Sequence, residues 1–195
     1  MIAAIVPAAG MSTRMGRNKL LLAFKGKPLI AQAVDTLLES EVDEVVVVIG
    51  HEADKVKAEL QGRQVTIVEN PNYGQGMSTS IRVGLGAVSS GARAIMIYLA
   101  DQPLLEPEDV NRLTRAFAEA REHNKSIVVP FFRGQRGNPV ILDASYKEAI
   151  LDVVGEAGCK RVIKRNPDKV LVVEMETDHV VRDVDRIEDY EGLKT

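Results

Sequence analysis

The chain has 195 residues, of which 45% are hydrophobic and 27% are charged, and its formal net charge is −3. This balance is typical of a globular protein with a sizeable core, and the length predicts one domain over residues 1–195. The slightly negative charge excludes a protein that binds nucleic acid or an anionic membrane through its overall charge. An anion site must therefore be a local concentration of cations.

The first predicted element is an apolar strand at residues 2–6. The segment MIAAIVPAAG has no basic region before it and is interrupted by Pro7 and Gly10, so it is too short for a signal-peptide core or a membrane span. The single cysteine, Cys159, excludes an internal disulfide framework and suits a reducing compartment. These features predict a cytoplasmic protein without a membrane span.

Further along the chain, short runs rich in valine and isoleucine alternate with longer segments whose apolar residues recur at helical spacing. Strands are predicted at 2–6, 44–50, 64–70, 94–100, 126–130 and 169–175. Helices are predicted at 28–41, 52–62, 76–91 and 107–124. The alternation predicts a three-layer α/β/α sandwich around a Rossmann-like, mostly parallel sheet. Residues 136–142 are expected to form a small antiparallel insertion.

In such sheets, ligands bind at the carboxyl ends of the strands, near the point where the strand order reverses. The loop after the first strand combines small residues with cations. Its small residues allow a ligand to approach the backbone, and its cations can add charge around a polyphosphate. The small residues are Ala8, Ala9, Gly10 and Ser12, and the cations that we expect to contact phosphate are Arg14 and Lys19.

This loop matches neither of two common phosphate-binding patterns. A Walker A loop requires Gly-Lys-Ser/Thr, whereas Gly16 is followed by Arg17. A dinucleotide fingerprint requires Gly-x-Gly, whereas Gly10 is followed by Met11 and Ser12. A surface loop with solvated cations is the alternative on composition alone, although the position after the first strand favours a binding loop.

The segment AAGMSTRMGRNK (8–19) resembles the signature of the MobA-like nucleotidyltransferases, in which a glycine-rich loop wraps a nucleoside triphosphate. NPNYGQGMSTSIRVGL (70–85) resembles the segment that faces the base in the cytidylyltransferase branch of that family. LADQPLL (99–105) resembles its strand end with a metal-binding aspartate. RGQRGNPVIL (133–142) and DVDRIEDY (183–190) resemble its acceptor-side loop and its closing acidic motif. The chain is most similar to the molybdenum cofactor cytidylyltransferase type.

The resemblance implies transfer of CMP from CTP to a phosphorylated acceptor, molybdopterin with its metal, and release of pyrophosphate. Such a reaction needs cations, a divalent metal and alignment of the reacting groups. It implies catalytic roles for Lys19, Arg14 and Asp101, and a Mg²⁺ site formed by Asp101 and Asp185, with Asp183 as the fallback. It implies that the nucleotide is bound by Ala8, Ala9, Gly10, Ser12, Gly76, Ser78 and Ser80.

Alternative roles exist for these residues. Asp101 precedes Pro103 closely enough to be a turn or helix-cap aspartate, and Asp185 lies in an acidic run of the kind that usually faces solvent. Gly76 and Ser78 are expected at the start of a helix, where they suit either an ordinary cap or a nucleotide site. The histidines His51, His123 and His179 lie outside the matching segments and are expected to be structural, since a phosphate acceptor needs no general base.

Two departures from the family pattern lie on the acceptor side: Asn138 replaces a frequent histidine, and GEAGCK (155–160) replaces a frequent Gly-Asp-x-Gly-Ala-Arg. Another small phosphate, such as a sugar phosphate, methylerythritol phosphate or phospholactate, is therefore an alternative acceptor. A non-catalytic nucleotide-binding or cofactor-carrying accessory protein is the alternative outside the enzymes. A molybdoenzyme or its chaperone is the expected protein partner. CTP is expected over GTP, since guanylyl members usually carry a second glycine where Ala9 stands.

Overall fold

The computed structural model describes residues 1–153, 155 and 159–193. Its β strands are β1 (Ile2–Ala8), β2 (Ala23–Phe24), β3 (Lys27–Pro28), β4 (Glu44–Ile49), β5 (Thr66–Glu69), β6 (Ala94–Ile97), β7 (Ile127–Phe132), β8 (Gln135–Arg136), β9 (Val140–Asp143) and β10 (Val170–Glu174). Its α helices are α1 (Leu29–Leu38), α2 (Ala53–Glu59), α3 (Met77–Ala87), α4 (Pro107–Ala120), α5 (Lys147–Leu151), α6 (Lys160–Arg165) and α7 (Ile187–Gly192). Every predicted strand and helix is present, with ends a few residues from those predicted.

The main sheet is built around β1. Among the described residues it has eight strands, in the order β10-β7-β9-β6-β1-β4-β5, with β8 paired to β7 outside this row. β1 is parallel to both of its neighbours, β4 and β6, and β5 continues the parallel arrangement beyond β4. The strand order therefore reverses at β1, since β4 and β5 lie on one side of it and β6 on the other. This reversal opens a crevice at the carboxyl end of β1.

Helices cover both faces of the sheet. On one face, α1, α2 and α4 pack on the strands through buried residues that include Ile30, Val34, Val56, Val110, Leu113 and Phe117. On the other face, α3, α5 and α6 do so through buried residues that include Ile81, Leu85, Ile150 and Val162. The predicted three-layer α/β/α sandwich is confirmed. No helix within residues 1–153, 155 and 159–193 is long and apolar enough to cross a membrane.

The antiparallel element predicted at 136–142 lies inside the main sheet. After β7 the chain turns back through Arg133 and Gly134, which both have positive φ, and forms β8 against the end of β7. β9 then runs antiparallel between β6 and β7 and pairs with both. The insertion is therefore a central strand of the sheet, which explains why Val140, Ile141 and Leu142 are all buried.

A third apolar cluster lies beside the crevice. The β2–β3 hairpin and α7, neither of which the sequence patterns predicted, bring together Leu22, Phe24, Leu29, Val184 and Tyr190. The Tyr190 hydroxyl donates a hydrogen bond to the Ala23 carbonyl over 2.6 Å. Because Val184 is fully buried here, the residue that follows it, Asp185, is held at the edge of the crevice.

Candidate active site

The loops after β1, β5 and β6 meet the segment before α7 around a cavity of about 330 Å³ at the carboxyl edge of the sheet. This is the position that the strand-order rule predicts for a ligand. Most of the residues singled out in the sequence line the cavity: Ala9, Gly10, Ser12, Arg14, Lys19, Gly76, Ser80, Asp101 and Asp185. Four of the five segments selected from the sequence, 8–19, 70–85, 99–105 and 183–190, therefore contribute to one site, whereas 133–142 does not line the cavity.

The first loop is shaped by Ser12, which has a left-handed backbone (φ 51°). The Ser12 carbonyl accepts a hydrogen bond from the Met15 N–H over 2.9 Å, and its Oγ accepts one from the Lys19 N–H over 3.1 Å. These bonds close the loop on itself and hold the start of the Lys19 side chain next to the cavity. A Cβ at Gly10 would meet nothing within 4 Å, so the backbone there is open to a close approach.

Charged side chains form a connected network at the mouth of the cavity. The Lys19 ammonium lies 2.6 Å from Asp101 Oδ2 and 3.0 Å from Asp185 Oδ1. Arg14 Nη1 lies 3.2 Å from the other carboxylate oxygen of Asp185. The Lys19 and Asp101 side chains are only 17% and 19% exposed, whereas that of Arg14 is 67% exposed. The network thus has a shielded inner pair, Lys19 and Asp101, and an exposed outer cation, Arg14.

The pKa values of this network follow from its geometry. Burial disfavours the Lys19 ammonium, but the attraction of Asp101 and hydrogen bonds to Asp101 and Asp185 outweigh it and raise the pKa of Lys19. Burial likewise disfavours a charged Asp185, but Lys19 and Arg14 outweigh it and hold the pKa of that carboxyl below its usual range. Both groups therefore stay charged at neutral pH, as binding of a polyphosphate with a metal ion requires.

Asp185 is positioned from two sides. The Val184 N–H donates to the Asp101 backbone carbonyl over 2.8 Å, which ties this segment to the end of β6. The Asp189 carboxylate accepts hydrogen bonds from the N–H groups of Asp185 (3.0 Å) and Arg186 (2.8 Å) and so caps the start of α7. Two residues of the acidic run thus have different roles: Asp189 caps the helix, and Asp185 faces Lys19.

Asp183, the fallback metal ligand, binds Gln102 rather than Lys19. Its Oδ1 accepts a hydrogen bond from Gln102 Nε2 over 2.6 Å, and the same amide donates to the Val180 carbonyl over 2.8 Å. Burial and the nearby charge of Asp101 raise the pKa of Asp183. The geometry therefore brings Asp185, rather than Asp183, to the inner pair.

The donor set fits a hard divalent cation. Asp101 and Asp185 lie close together, since both contact the Lys19 ammonium, and Asp101 Oδ1 is buried without a hydrogen-bond partner among the described residues. In the described part of the chain no group of three or more His, Cys, Asp or Glu residues is arranged to hold a metal. Mg²⁺ is commonly bound by one or two carboxylates, with substrate phosphates and water as the other ligands. The pair suits a metal that arrives with a phosphate ligand.

The opposite wall of the cavity is built by the start of α3. The Asn70 amide, at the end of β5, donates to Thr79 Oγ1 over 2.8 Å and to Ser80 Oγ over 3.0 Å. Gly76 precedes the helix with φ 101°, a conformation that favours glycine. Tyr73 also lines the cavity. Sequence reasoning missed Asn70 and Tyr73, although the position of Asn70 at the end of a strand was a usable signal.

Two residues predicted to bind the nucleotide do not line the cavity. Ala8 is the last residue of β1 and is 1% exposed, because its side chain packs in the core beneath α1 and α2. Ser78 is 6% exposed within α3. Ala9 lines the cavity but is itself only 2% exposed, and a Cβ at Gly50 would lie 2.8 Å from Ala9 Cβ and from Tyr73 Cδ1.

The histidines and Arg82 take the following positions. His179 Nδ1 lies 2.8 Å from Asp109 Oδ2, an interaction that joins the segment before α7 to α4. His51 comes closer to the site than expected, since its N–H donates to the Ala9 carbonyl over 3.2 Å. Arg82 donates to the Leu151 carbonyl and so points towards α5. In the departure at 155–160, residues 156–158 lie outside the described residues.

Comparison with known proteins finds relatives that are similar to this chain over most of its length. The nicotine blue oxidoreductase of Paenarthrobacter nicotinovorans is 30% identical over 192 residues, which cover 96% of this chain and 93% of that protein. The purine catabolism protein PucB of Bacillus subtilis (strain 168) is 30% identical over 197 residues, with the same two shares. The bifunctional protein GlmU of Sorangium cellulosum is 35% identical over 127 residues, which are 61% of this chain and 27% of that protein.

Solved structures share the whole fold. The Mycobacterium tuberculosis Rv0371c homologue from Mycobacterium sp. strain JC1 has a TM-score of 0.85 at 25% identity and covers 98% of this chain and 94% of its own. A nucleotidyl transferase from Methanothermobacter thermautotroptrophicus has a TM-score of 0.81 at 26% identity, with 99% and 95% covered. Rv0371c of M. tuberculosis H37Rv in complex with manganese has a TM-score of 0.77 at 25% identity, with 98% and 97% covered.

The family model that matches the chain is described as the MobA-like NTP transferase domain, and it covers residues 4–170. This range includes the loop 8–19, the start of α3 and Asp101, which together form most of the cavity lining. The manganese complex of Rv0371c is consistent with a divalent metal ion in such proteins. The chain belongs to the MobA-like NTP transferase family and is a nucleotidyltransferase of that kind.

Proposed function

We propose that this chain is a Mg²⁺-dependent cytidylyltransferase that moves CMP from CTP to a phosphorylated acceptor of the molybdopterin class and releases pyrophosphate. The observation that carries the proposal is the position of the Lys19 ammonium, 2.6 Å from Asp101 and 3.0 Å from Asp185, beside a loop of small residues. A cation held by two carboxylates next to an open backbone is the arrangement that a metal-bound triphosphate needs. We propose that the chain works as a single domain.

The reaction is a displacement at phosphorus. An oxygen of the acceptor phosphate forms a bond to the α-phosphorus of CTP, the bond from that phosphorus to the bridging oxygen breaks, and pyrophosphate leaves with the electron pair. Because the acceptor oxygen is already anionic near neutral pH, no residue has to remove a proton. The barrier is one of charge and alignment, and the protein can lower it with fixed cations.

Each part of the network has a proposed role. Lys19 and Arg14 bind the triphosphate and stabilise the charge that develops on the leaving pyrophosphate. Asp101 and Asp185 hold Mg²⁺, which supplies further positive charge to the phosphate oxygens when it is bound. Gly10 and Ser12 let the phosphates approach the backbone, and the Ser12 bond to the Lys19 N–H keeps the loop in place. Ala8 supports this loop from the core.

The nucleotide preference rests on the wall opposite the loop. We expect the cytosine edge to lie against Gly76 and Ser80, which line the cavity, with Ser80 held by its hydrogen bond to Asn70, while Ser78 is buried within α3. The Ala9 methyl group and the Tyr73 side chain both face Gly50 so closely that a Cβ there would lie 2.8 Å from each, and we expect this packing to make this end of the cavity less able to widen for a purine. One methyl group changes the free energy that separates two substrates by about 1–3 kcal/mol, so we expect CTP to be used faster than GTP without GTP being excluded.

The acceptor is assigned by the resemblance of 133–142 and 183–190 to the acceptor side of the molybdenum cofactor cytidylyltransferases. A molybdoenzyme or its chaperone would then receive the product. We place the reaction in the cytoplasm, since Cys159 is a buried free thiol and suits a reducing compartment.

A pyrophosphate-release assay tests the proposal. The protein is mixed with Mg²⁺, with CTP or GTP, and with molybdopterin, a sugar phosphate, methylerythritol phosphate or phospholactate in separate reactions. We expect release with CTP and molybdopterin and slower release with GTP. Release with another acceptor would correct the substrate alone. Tight CTP binding without release for any acceptor would instead indicate the accessory binding protein.

A further inference from the structure

Arg136, in β8, is a half-buried arginine that has no counter-ion among the described residues. Its Nε atom is buried and has no hydrogen-bond partner, and within the described part of the chain its guanidinium forms no ion pair. Arg63 is a similarly shielded arginine and serves as a comparison. Arg63 is 21% exposed and binds Asp35 through both Nε (2.6 Å) and Nη2 (3.2 Å). Arg136 is shielded from water as Arg63 is, but no carboxylate among the described residues binds it as Asp35 binds Arg63.

The surroundings of Arg136 do not neutralise it. Among the described residues, the titratable group that interacts with it electrostatically is the Cys159 thiol. Burial raises the pKa of Cys159 to about 12, so this thiol is uncharged at neutral pH. Burial also lowers the pKa of Arg136, and the opposing influence of Cys159 is the smaller of the two. A shielded cation without an anion is costly, and an anionic ligand would remove that cost.

Backbone contacts place Arg136 at the same edge of the sheet as the cavity. The Gly137 N–H donates to the Pro130 carbonyl over 2.8 Å, and the Asn138 N–H donates to the Val180 carbonyl over 2.9 Å. That carbonyl also accepts the Gln102 amide, and Gln102 directly follows Asp101. The segment 136–138 is thus joined to the residue next to the inner carboxylate by two hydrogen bonds.

This connection is tightly fitted. A Cβ at Gly137 would lie 2.4 Å from the Val180 carbonyl oxygen, so only glycine allows this close approach. Gly137 therefore fixes the distance between Arg136 and the segment before α7, which carries Val180 and Asp183. A surface arginine would not need such a constraint on its neighbour.

We infer that Arg136 binds the phosphate of the acceptor, at the edge of the sheet where the cavity lies. The inference rests on the proposed function, because it assumes a second anionic substrate. A guanidinium suits this task, since its planar fork binds two oxygens of a phosphate monoester at once. The nucleotide would contact Arg14 and Lys19, and the acceptor would contact Arg136.

The test uses methyl phosphate, a minimal phosphate monoester, and the backbone amide signals of Gly137 and Asn138 in ¹⁵N NMR spectra. In wild-type protein with saturating Mg²⁺ and CTP, we expect these signals to move in a saturable way as methyl phosphate is added. Arg136→Gln should weaken this binding at least about tenfold, and Arg136→Lys should weaken it less, because it keeps the charge but loses the fork.

The matched control is Arg133→Gln, which removes the same charge three residues away. Arg133 is exposed and lies over the Phe132 ring, 5.1 Å from its centre. We expect it to leave the titration unchanged. An equal loss in Arg133→Gln would reduce the effect to general surface charge and overturn the assignment, as would an unchanged titration in Arg136→Gln.

Stability gives a second readout. Because the charge of Arg136 is uncompensated, Arg136→Met should raise the melting temperature in phosphate-free buffer, and a lower melting temperature would show that the arginine serves the fold instead. Calorimetry with Mg²⁺ and CTP separates the two proposals. If wild-type protein does not bind CTP, the proposed function fails. If it binds CTP but methyl phosphate moves neither amide signal, the assignment of Arg136 alone fails.

Discussion

At the level of single residues, the site depends on one cation shared by two carboxylates. Lys19 and Asp101 are shielded, so their attraction is screened less by water than that between Arg14 and Asp185. Asp101 Oδ1 has no partner among the described residues, while Oδ2 is used by Lys19. Asp101 therefore has one oxygen paired with the lysine and a second, buried oxygen without a hydrogen bond, which we propose as the metal-binding atom.

The first prediction concerns this carboxylate. Asp101→Asn keeps the size of the side chain but removes the negative charge, so we expect turnover to fall about 100-fold or more while the protein stays folded. The fold should persist because the Asp101 backbone carbonyl, which accepts the Val184 N–H, is unchanged. The measurement is the rate of pyrophosphate release over a range of Mg²⁺ concentrations, with circular dichroism to check folding.

Asp178→Asn serves as the control for Asp101→Asn, because Asp178 makes only an exposed pair with Arg182 at 3.7 Å. Asp185→Asn should also lower turnover, but by a smaller factor, since Asp185 is 48% exposed. Wild-type turnover by Asp101→Asn at every Mg²⁺ concentration would refute the metal assignment.

The second prediction separates binding from catalysis. If Lys19 stabilises the charge that grows on the leaving pyrophosphate, Lys19→Ala should lower kcat about 100-fold or more, whereas CTP binding measured without acceptor should weaken less. Arg14→Lys should also lower kcat, because a point charge cannot replace a fork. A Lys19→Ala enzyme that binds CTP poorly but keeps full kcat would show that the loop is only a docking element.

Residues such as Lys19 and Asp101 could be selected from the sequence because each follows an apolar strand or lies in its loop. Arg136 could not, because its importance depends on contacts that no local pattern records, whereas Asn70 was missed although its position directly after β5 was a usable signal. Arg136 stands out because no described residue pairs with its charge. The absence of a contact leaves no pattern in a sequence. The choice between Asp183 and Asp185 likewise depended on which carboxylate Gln102 engages.

At the level of elements, the strands were predictable because a strand buried on both faces is a continuous apolar run. The apolar runs alone do not give the strand direction, since VIL at 140–142 is as apolar as the parallel strand β4. The antiparallel direction expected for 136–142 is confirmed, but the position of β9 between β6 and β7 was not predicted. The β2–β3 hairpin and the helices α5 to α7 were missed, because two-residue strands and helices of five or six residues show no clear periodicity. They form through tertiary packing, as the cluster around Val184 and Tyr190 shows.

The third prediction concerns the packing of α3, which carries Gly76 and Ser80 into the site. A Cβ at Gly84 would lie 2.5 Å from Ile5 Cγ2 and 3.1 Å from Val48 Cγ2, so the helix would have to move away from the sheet. We expect Gly84→Ala to lower the free energy of unfolding by about 1–3 kcal/mol, measured by urea denaturation.

Gly86→Ala is the matched control within the same helix. A Cβ at Gly86 would meet nothing within 4 Å, so this change should stabilise the protein by about 0.5–1 kcal/mol through helix propensity. Equal effects of the two changes would mean that the close approach of α3 to β1 does not constrain the helix.

At the level of the whole molecule, a protein of net charge −3 gathers Arg14 and Lys19 at one edge and pairs them with two carboxylates. Without a ligand, the cations and carboxylates neutralise one another, so the site does not repel either a metal or a phosphate. When the metal binds the carboxylates and the triphosphate binds the cations, the ion pairs between cations and carboxylates are replaced at the same time. Binding of the nucleotide and of the metal should therefore be cooperative.

The last prediction follows from this coupling. A ligand that binds only the folded state stabilises it by RT ln(1 + [L]/Kd), about 2.7 kcal/mol at 100 times Kd. For a chain of this length, that corresponds to a rise in melting temperature of about 5–10 °C. We expect this rise with CTP and Mg²⁺ together, less with GTP and Mg²⁺, and much less with CTP in EDTA, all measured by calorimetric scanning. Asp101→Asn should reduce the difference between the Mg²⁺ and EDTA scans. If CTP raised the melting temperature equally with and without Mg²⁺, the carboxylates and the cations would act independently, and the shared metal and phosphate site would be wrong.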